Sequence, residues 1–157
     1  MSRRDKRPPP AVRARFAARI DALSALGNWL RVACERYGES DAWLDAFELA
    51  AVEASSNVMR HGHSASCVAA SDAPVIALTL RCWQDFVALD VFDAGPAPPP
   101  GLFDAPASLP SVDPANIDAL PEGGMGLGIM HASVDVIEHR RRLGVNRLRL
   151  VKHRSGR

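Results

Sequence analysis

Apolar and polar positions change period several times along the chain, and each change marks an element. Val12, Ala14, Phe16 and Ala18 alternate with Arg13 and Arg15, the period of a half-buried strand, so an edge strand is predicted to begin the fold. From Ile20 the spacing lengthens. Leu23, Leu26, Leu30, Ala33 and Cys34 recur every three or four residues, which predicts an amphipathic helix over about residues 20–37 that ends near Gly38. Ser40 or Asp41 is placed to cap a second helix. Its core stripe is Leu44, Phe47, Ala51, Ala54 and Val58, and it stops around His61 and Gly62.

Residues 63–73 are small and polar enough for a loop, after which Val75 to Cys82 and Phe86 to Phe92 predict a hairpin about Trp83-Gln84-Asp85. From Gly95 to Gly123 no period survives, and prolines recur at Pro96, Pro98, Pro99, Pro100, Pro106, Pro110, Pro114 and Pro121. Such a stretch is predicted to be a long loop of the kind that forms lids or binding loops. The segment from Gly124 to His131 then reads as a glycine-rich turn entering a short helix, with strands to follow over Val134 to His139 and Val145 to Val151. Strand and helix do not alternate regularly. The order predicts an α+β fold, a two-layer sandwich whose mixed, mostly antiparallel sheet is covered on one face by helices.

Composition bounds the picture. A length of 157 residues fits one domain, expected over residues 12–152 between a basic, proline-rich tail at 1–11 and a short tail at 153–157. Nineteen Lys and Arg against eighteen Asp and Glu leave a formal charge of +1, which gives no reason to expect a nucleic-acid or membrane partner. No apolar segment follows the basic start that could serve as a signal peptide or span a bilayer, so a cytoplasmic address is expected. Cys34, Cys67 and Cys82 are odd in number and widely spaced, and are expected to be reduced, small apolar residues.

The candidate chemistry gathers in three places. Glu53 and Asn57 are four apart on the second helix, so their side chains share one face, with Arg60 and His61 on the next turn. Small residues at Ala50 and Ala54 leave room for a ligand to approach the carboxylate and the amide. Asn57 can offer a carbonyl oxygen to Mg²⁺, and Glu53 can orient or deprotonate a hydroxyl; taken alone, the pair also suits an ordinary solvated helix face. Asp93-Ala94-Gly95 ends the second hairpin strand. There a carboxylate can accept from a ligand amine and a glycine admits a flat ring, although the same tripeptide serves as a plain turn. Finally, Gly124, Gly126 and Gly128 alternate with Met125 and Leu127 where a helix begins, which suits backbone amides aimed at phosphate or a flexible hinge. They lack the spacing of a dinucleotide fingerprint, and the chain has no P-loop lysine. His63, His131, His139 and His153 are scattered and are expected to be structural or solvent-facing.

Taken in order, the segments Glu48 to Gly62, Val91 to Pro96 and Gly123 to Ile129 resemble the three nucleotide-binding boxes of the histidine-kinase-like GHKL ATPases (the Bergerat fold). The likeness is nearest to the anti-sigma-factor serine/threonine kinases typified by RsbW and SpoIIAB. That resemblance implies an ATP site between helices and sheet, with Asn57 as the Mg²⁺ ligand, Glu53 as the catalytic acidic residue and Asp93 binding the adenine amine. It implies that Gly95 makes room for the adenine, that Gly124 to Gly128 hold phosphates, and that residues 96–122 form a lid. The implied partners are a STAS-domain antagonist, which would be phosphorylated, and a sigma factor, which would be sequestered. Apolar residues such as Phe16 or Trp29 could form a homodimer or sigma-factor surface, although core packing is the commoner fate of each. Ala97, Met125 and Asn146 depart from the usual pattern, which leaves a non-catalytic ATP-binding or partner-binding module of the same fold as the alternative.

Overall fold

The computed structural model describes residues 7–61, 74–104 and 125–156. Strand β1 (Ala11–Ala17) leads through a 3₁₀ turn at Ile20–Ala22 into helices α1 (Leu23–Glu35) and α2 (Asp41–His61). Strands β2 (Val75–Cys82) and β3 (Phe86–Asp93) follow, then α3 (Met125–Ser133), β4 (Val136–Arg142) and β5 (Val145–His153). The sheet runs β1-β2-β3-β5-β4, and each pairing is antiparallel. The sheet is thus antiparallel throughout the described residues, where the element order had allowed a mixed one.

Pleating divides every strand between two faces. Ile76, Leu78 and Leu80 of β2, Val87, Leu89 and Val91 of β3, and Leu148 and Leu150 of β5 point to the helices and are buried. They meet Leu26, Leu30, Phe47, Ala51 and Ala54 from α1 and α2. Phe16 of β1 and Trp29 of α1 pack edge to face, 6.1 Å between ring centres, and both join the margin of this core. Apolar burial of this kind is the main stabilising term, worth about 25 cal/mol per Å².

Helix ends follow local chemistry. The helix expected over about residues 20–37 opens as a 3₁₀ turn, and its α-helical part stops at Glu35, before Gly38 turns the chain with φ 69°. At α2 it is Ser40 that caps, its Oγ accepting from the Trp43 amide at 3.2 Å. Trp43 then donates its indole N–H to the His153 carbonyl at 2.6 Å, fastening the start of α2 to the end of β5. Gly27 lets α1 and α2 approach, because a Cβ there would lie 2.8 Å from Glu48 Oε1. That carboxylate is held by the Arg31 guanidinium, which also pairs with Asp45.

Among the cysteines, Cys34 is buried and Cys82 half-buried. Burial pushes the Cys34 thiol up to about 12, so it is protonated and inert at neutral pH. Cys67 and the predicted loop at 63–73 lie outside the described residues, as do His63 and most of the expected lid.

Candidate functional site

Helix α2, the C-terminal end of β3, and α3 converge on one side of the sheet. Ala50 and Ala54 are fully buried, which sinks this face of α2 against its neighbours and leaves Glu53 and Asn57 half-buried at the margin. Helix α3 approaches them at Gly126. A Cβ at that position would lie 2.7 Å from Glu53 Oε2 and 3.6 Å from both side-chain polar atoms of Asn57, so glycine is what permits the contact. The Asn57 amide nitrogen faces Met130 Sδ at 3.9 Å, and its carbonyl oxygen has no protein partner among the described hydrogen bonds.

A cleft of about 500 Å³ opens beside this contact. Its floor and walls include Ala54, Asn57, Val58 and His61 of α2, Asp93 at the end of β3, Gly126 and Leu127 of α3, and His139, Asn146 and Leu148 of β4 and β5. Pro96, Pro98, Leu102 and Phe103 close another side, the Phe103 ring lying 5.6 Å from that of His139. The lining is mostly apolar with a few fixed polar groups, the usual make-up of a small-molecule site.

Asp93 is the most constrained of those groups. It is 7% exposed, and its Oδ1 accepts from the Gly95 amide at 2.8 Å and from Asn146 Nδ2 at 3.1 Å. Both bonds fall on one oxygen, so among the described residues Oδ2 remains to accept from a ligand donor. Asn146 Nδ2 also reaches the carbonyls of Gly95 and Pro96 at 3.2 and 3.0 Å. Arg141 Nη1 in turn donates to the Gly95 carbonyl and to Asn146 Oδ1, each at 2.8 Å. His139 Nε2 stands 3.3 Å from the same Asn146 oxygen. The turn after β3 is therefore pinned from β4 and β5, and Gly95 is buried within it.

The sequence-predicted residues separate into two sets. Asn57, His61, Asp93, Gly126 and Leu127 line the cleft, with Glu53 against Gly126 at its rim and Gly95 beneath Asp93. Arg60 is exposed and stands off the cleft, and Met125 and Gly128 do not line it. Helix α3 already begins at Met125, so Gly126 and Gly128 belong to a helix rather than to a loop; Gly124 lies outside the described residues. The unpaired amides of that first helical turn still offer donors to an anion. Asn146 and Arg141 form a support that sequence reading missed, and His139, expected to be structural or solvent-facing, joins them in a structural role. Their partners are far away in the chain, and only the strand register brings them together.

Among the described residues no cluster of three or more His, Cys, Asp or Glu is placed to hold a metal. A divalent cation here would draw on one or two oxygens, such as Asn57 Oδ1, and on phosphate and water for the rest, the habit of Mg²⁺. A second cleft, of about 600 Å³, lies at the opposite end of β3 between Tyr37, Gln84, Asp85 and Arg154, and it contains none of the predicted site residues. No described helix is long and apolar enough to cross a membrane.

A family model for the histidine kinase-like ATPase domain matches residues 16–152. The fold is similar to the crystal structure of the RsbU and RsbW domains of a Mycobacterium tuberculosis protein, with 19% identity and a TM-score of 0.57. The match covers 96% of this chain and 34% of that one, so the chain spans about a third of its length. No curated protein matches the sequence.

Proposed function

The chain belongs to the histidine kinase-like ATPase family, and from that premise we propose that it is an ATP-dependent serine/threonine-protein kinase acting as an anti-sigma factor. The observation that carries the reading is the cleft itself. One free carboxylate oxygen of a rigidly held Asp93 faces an apolar slot, and Glu53, Asn57 and the start of α3 stand together at its rim.

In this reading adenine lies in the slot with its exocyclic amine donating to Asp93 Oδ2, between Leu148, Val58 and Phe103. The phosphates run toward the first turn of α3, where unpaired backbone amides and the positive helix end favour anions. Asn57 Oδ1 would hold Mg²⁺, which supplies charge neutralisation to the phosphates when bound. Glu53 takes the proton of an incoming serine or threonine hydroxyl, whose oxygen forms the new bond to the γ-phosphorus as the bond to the ADP oxygen breaks. Positioning supplies most of the rate. The acceptor would be a STAS-domain antagonist, and the unphosphorylated antagonist would compete with a sigma factor for this protein.

A non-catalytic ATP-binding or partner-binding module is the second reading, favoured by the proline run at Pro98, Pro99 and Pro100 beside the cleft, which restricts φ and closure. Two measurements divide the readings. Calorimetric titration with ATP should show Mg²⁺-dependent binding that Asp93→Asn weakens by about 100-fold and that Asn57→Ala uncouples from Mg²⁺. Radiolabel transfer to the antagonist should then fall at least about 100-fold in Glu53→Ala with ATP affinity retained. Binding without transfer in the unaltered protein leaves the module, and no ATP binding at all removes both nucleotide readings.

A further inference from the structure

The sheet face turned away from the helices is an arginine lattice. Register places Arg13, Thr79, Asp90, Arg149 and Glu138 in one row across the five strands, and Arg15, Ala77, Phe92, Arg147 and Arg140 in the next. Arg81 flanks the first row, so six arginines in this area share one face with two acids, and Arg142 extends it at the end of β4. The second row contains no acid at all.

Asp90 organises the centre. It is 2% exposed and accepts a two-pronged contact from Arg149 at 2.7 and 2.8 Å. Arg81 and Arg147 also reach it, each at 3.7 Å. One buried carboxylate is thus shared by three guanidiniums, each about a quarter exposed. The Arg147 Nε is buried without a hydrogen-bond partner among the described residues. Arg13, Arg15 and Arg140 stand exposed around this centre, and among the described residues only Arg140 of the three has an acid within reach, Glu138.

An ordinary solvated sheet face mixes charges of both signs, because like charges opposite one another destabilise the pairing. Here the excess is of one sign in a chain whose formal total is only +1, so the positive charge is concentrated rather than general. Arginine at every basic position of the two rows suits flat, two-pronged recognition of carboxylates.

We propose that this face docks an acidic protein surface, whose carboxylates pair with Arg13, Arg15, Arg140 and Arg147 while Asp90 keeps the central guanidiniums aligned. A second copy of the chain is disfavoured, since facing lattices would set arginine on arginine. A nucleic-acid strand is disfavoured too: its evenly spaced phosphates would meet Glu138 as well as the arginines, whereas a folded acidic surface can leave that position uncharged. The face lies across the sheet from the nucleotide cleft, so docking there needs nothing from Asp93 or Asn57.

The test uses the full chain with a short poly-L-glutamate peptide as probe, and oligo-deoxythymidylate of matched charge as competitor, followed by fluorescence anisotropy at low salt. Arg13→Glu/Arg15→Glu should weaken poly-L-glutamate binding by about 10-fold or more, with a shallower salt dependence. The control Arg19→Glu/Arg36→Glu, with equal charge change at exposed positions off this face, should shift it less than about twofold. Amide chemical-shift changes on β3 and β5 should accompany binding, and ATP titration of both variants should be unaltered. Equal loss in the two variants, tighter binding of the oligonucleotide, absence of binding, or a dimer that the face variant splits in sedimentation would each overturn the proposal.

Discussion

The two faces of the sheet are built from the same strands by the same alternation, yet they hold together by different physics. On the helix side Leu78, Leu80, Leu89, Val91 and Leu150 are excluded from water and nearly every contact is dispersion. On the far side the central residue is Asp90, as buried as its apolar neighbours, and its contacts are ionic. Position 89 and position 90 are consecutive, and Leu89 pairs with Leu150 while Asp90 pairs with Arg149. A single strand therefore carries a volume constraint on one side and a charge constraint on the other.

The largest expected effect falls on the volume side. Leu89→Ala, at a site with no exposure, should lower unfolding free energy by about 3 kcal/mol through lost burial and a residual cavity. Urea denaturation reads this directly, and a change below about 1 kcal/mol would mean that the core collapses around the gap. Asp90→Asn should cost about 2 kcal/mol, less than a fully buried pair because its arginines are partly solvated. The two variants should also respond differently to added salt: screening should recover part of the Asp90→Asn loss and leave Leu89→Ala unchanged. If salt fails to separate them, the distinction between the faces is wrong.

The smallest effect sharpens the comparison with an isolated pair. Glu39, whose side chain is 3% exposed, accepts from Arg154 Nε at 2.7 Å. Burial raises its carboxyl, but the hydrogen bonds from Arg154 and Ser155 outweigh burial and hold it below its ordinary value. A depressed folded value means that this contribution is fully present above the ordinary carboxylate value and is lost as pH falls through the folded one. Glu39→Gln should therefore flatten the acid limb of the stability curve and narrow the gap to the unaltered protein in acid. An acid limb unchanged by the substitution would show that other carboxylates set it.

Much of this architecture was legible because periodicity reports burial directly. The alternation at Val12 to Phe16, the stripe through Leu23, Leu26 and Leu30, and the Leu44 to Val58 stripe each became the element they predicted. The one-sided helical cover followed from the order of elements, and the family followed from three motifs in sequence. What stayed hidden depends on register. Asn146 supports Asp93 from 53 positions away, and nothing about an asparagine inside a strand announces that partner. Arg141 and His139 converge on it only because β4 pairs with β5. Gly124 to Gly128 read as a glycine-rich turn entering a short helix, and the helix in fact includes Gly126 and Gly128; at Gly126 the close approach of Glu53 explains a glycine inside it. Asp90 left a clue, a carboxylate inside the apolar run Phe86 to Phe92, but its three arginines belong to two other strands.

Strand β1 and strand β4 each have a neighbour on one side only among the described residues. Their free rims carry unpaired N–H and C=O groups that another polypeptide could extend into a continuous ribbon. Arg13 and Arg15 beside one rim, and Arg140 and Arg142 beside the other, stand exposed on the face that an incoming strand would continue. Registers that set these arginines opposite one another would crowd like charges, which works against fibrous self-assembly of this five-stranded sheet.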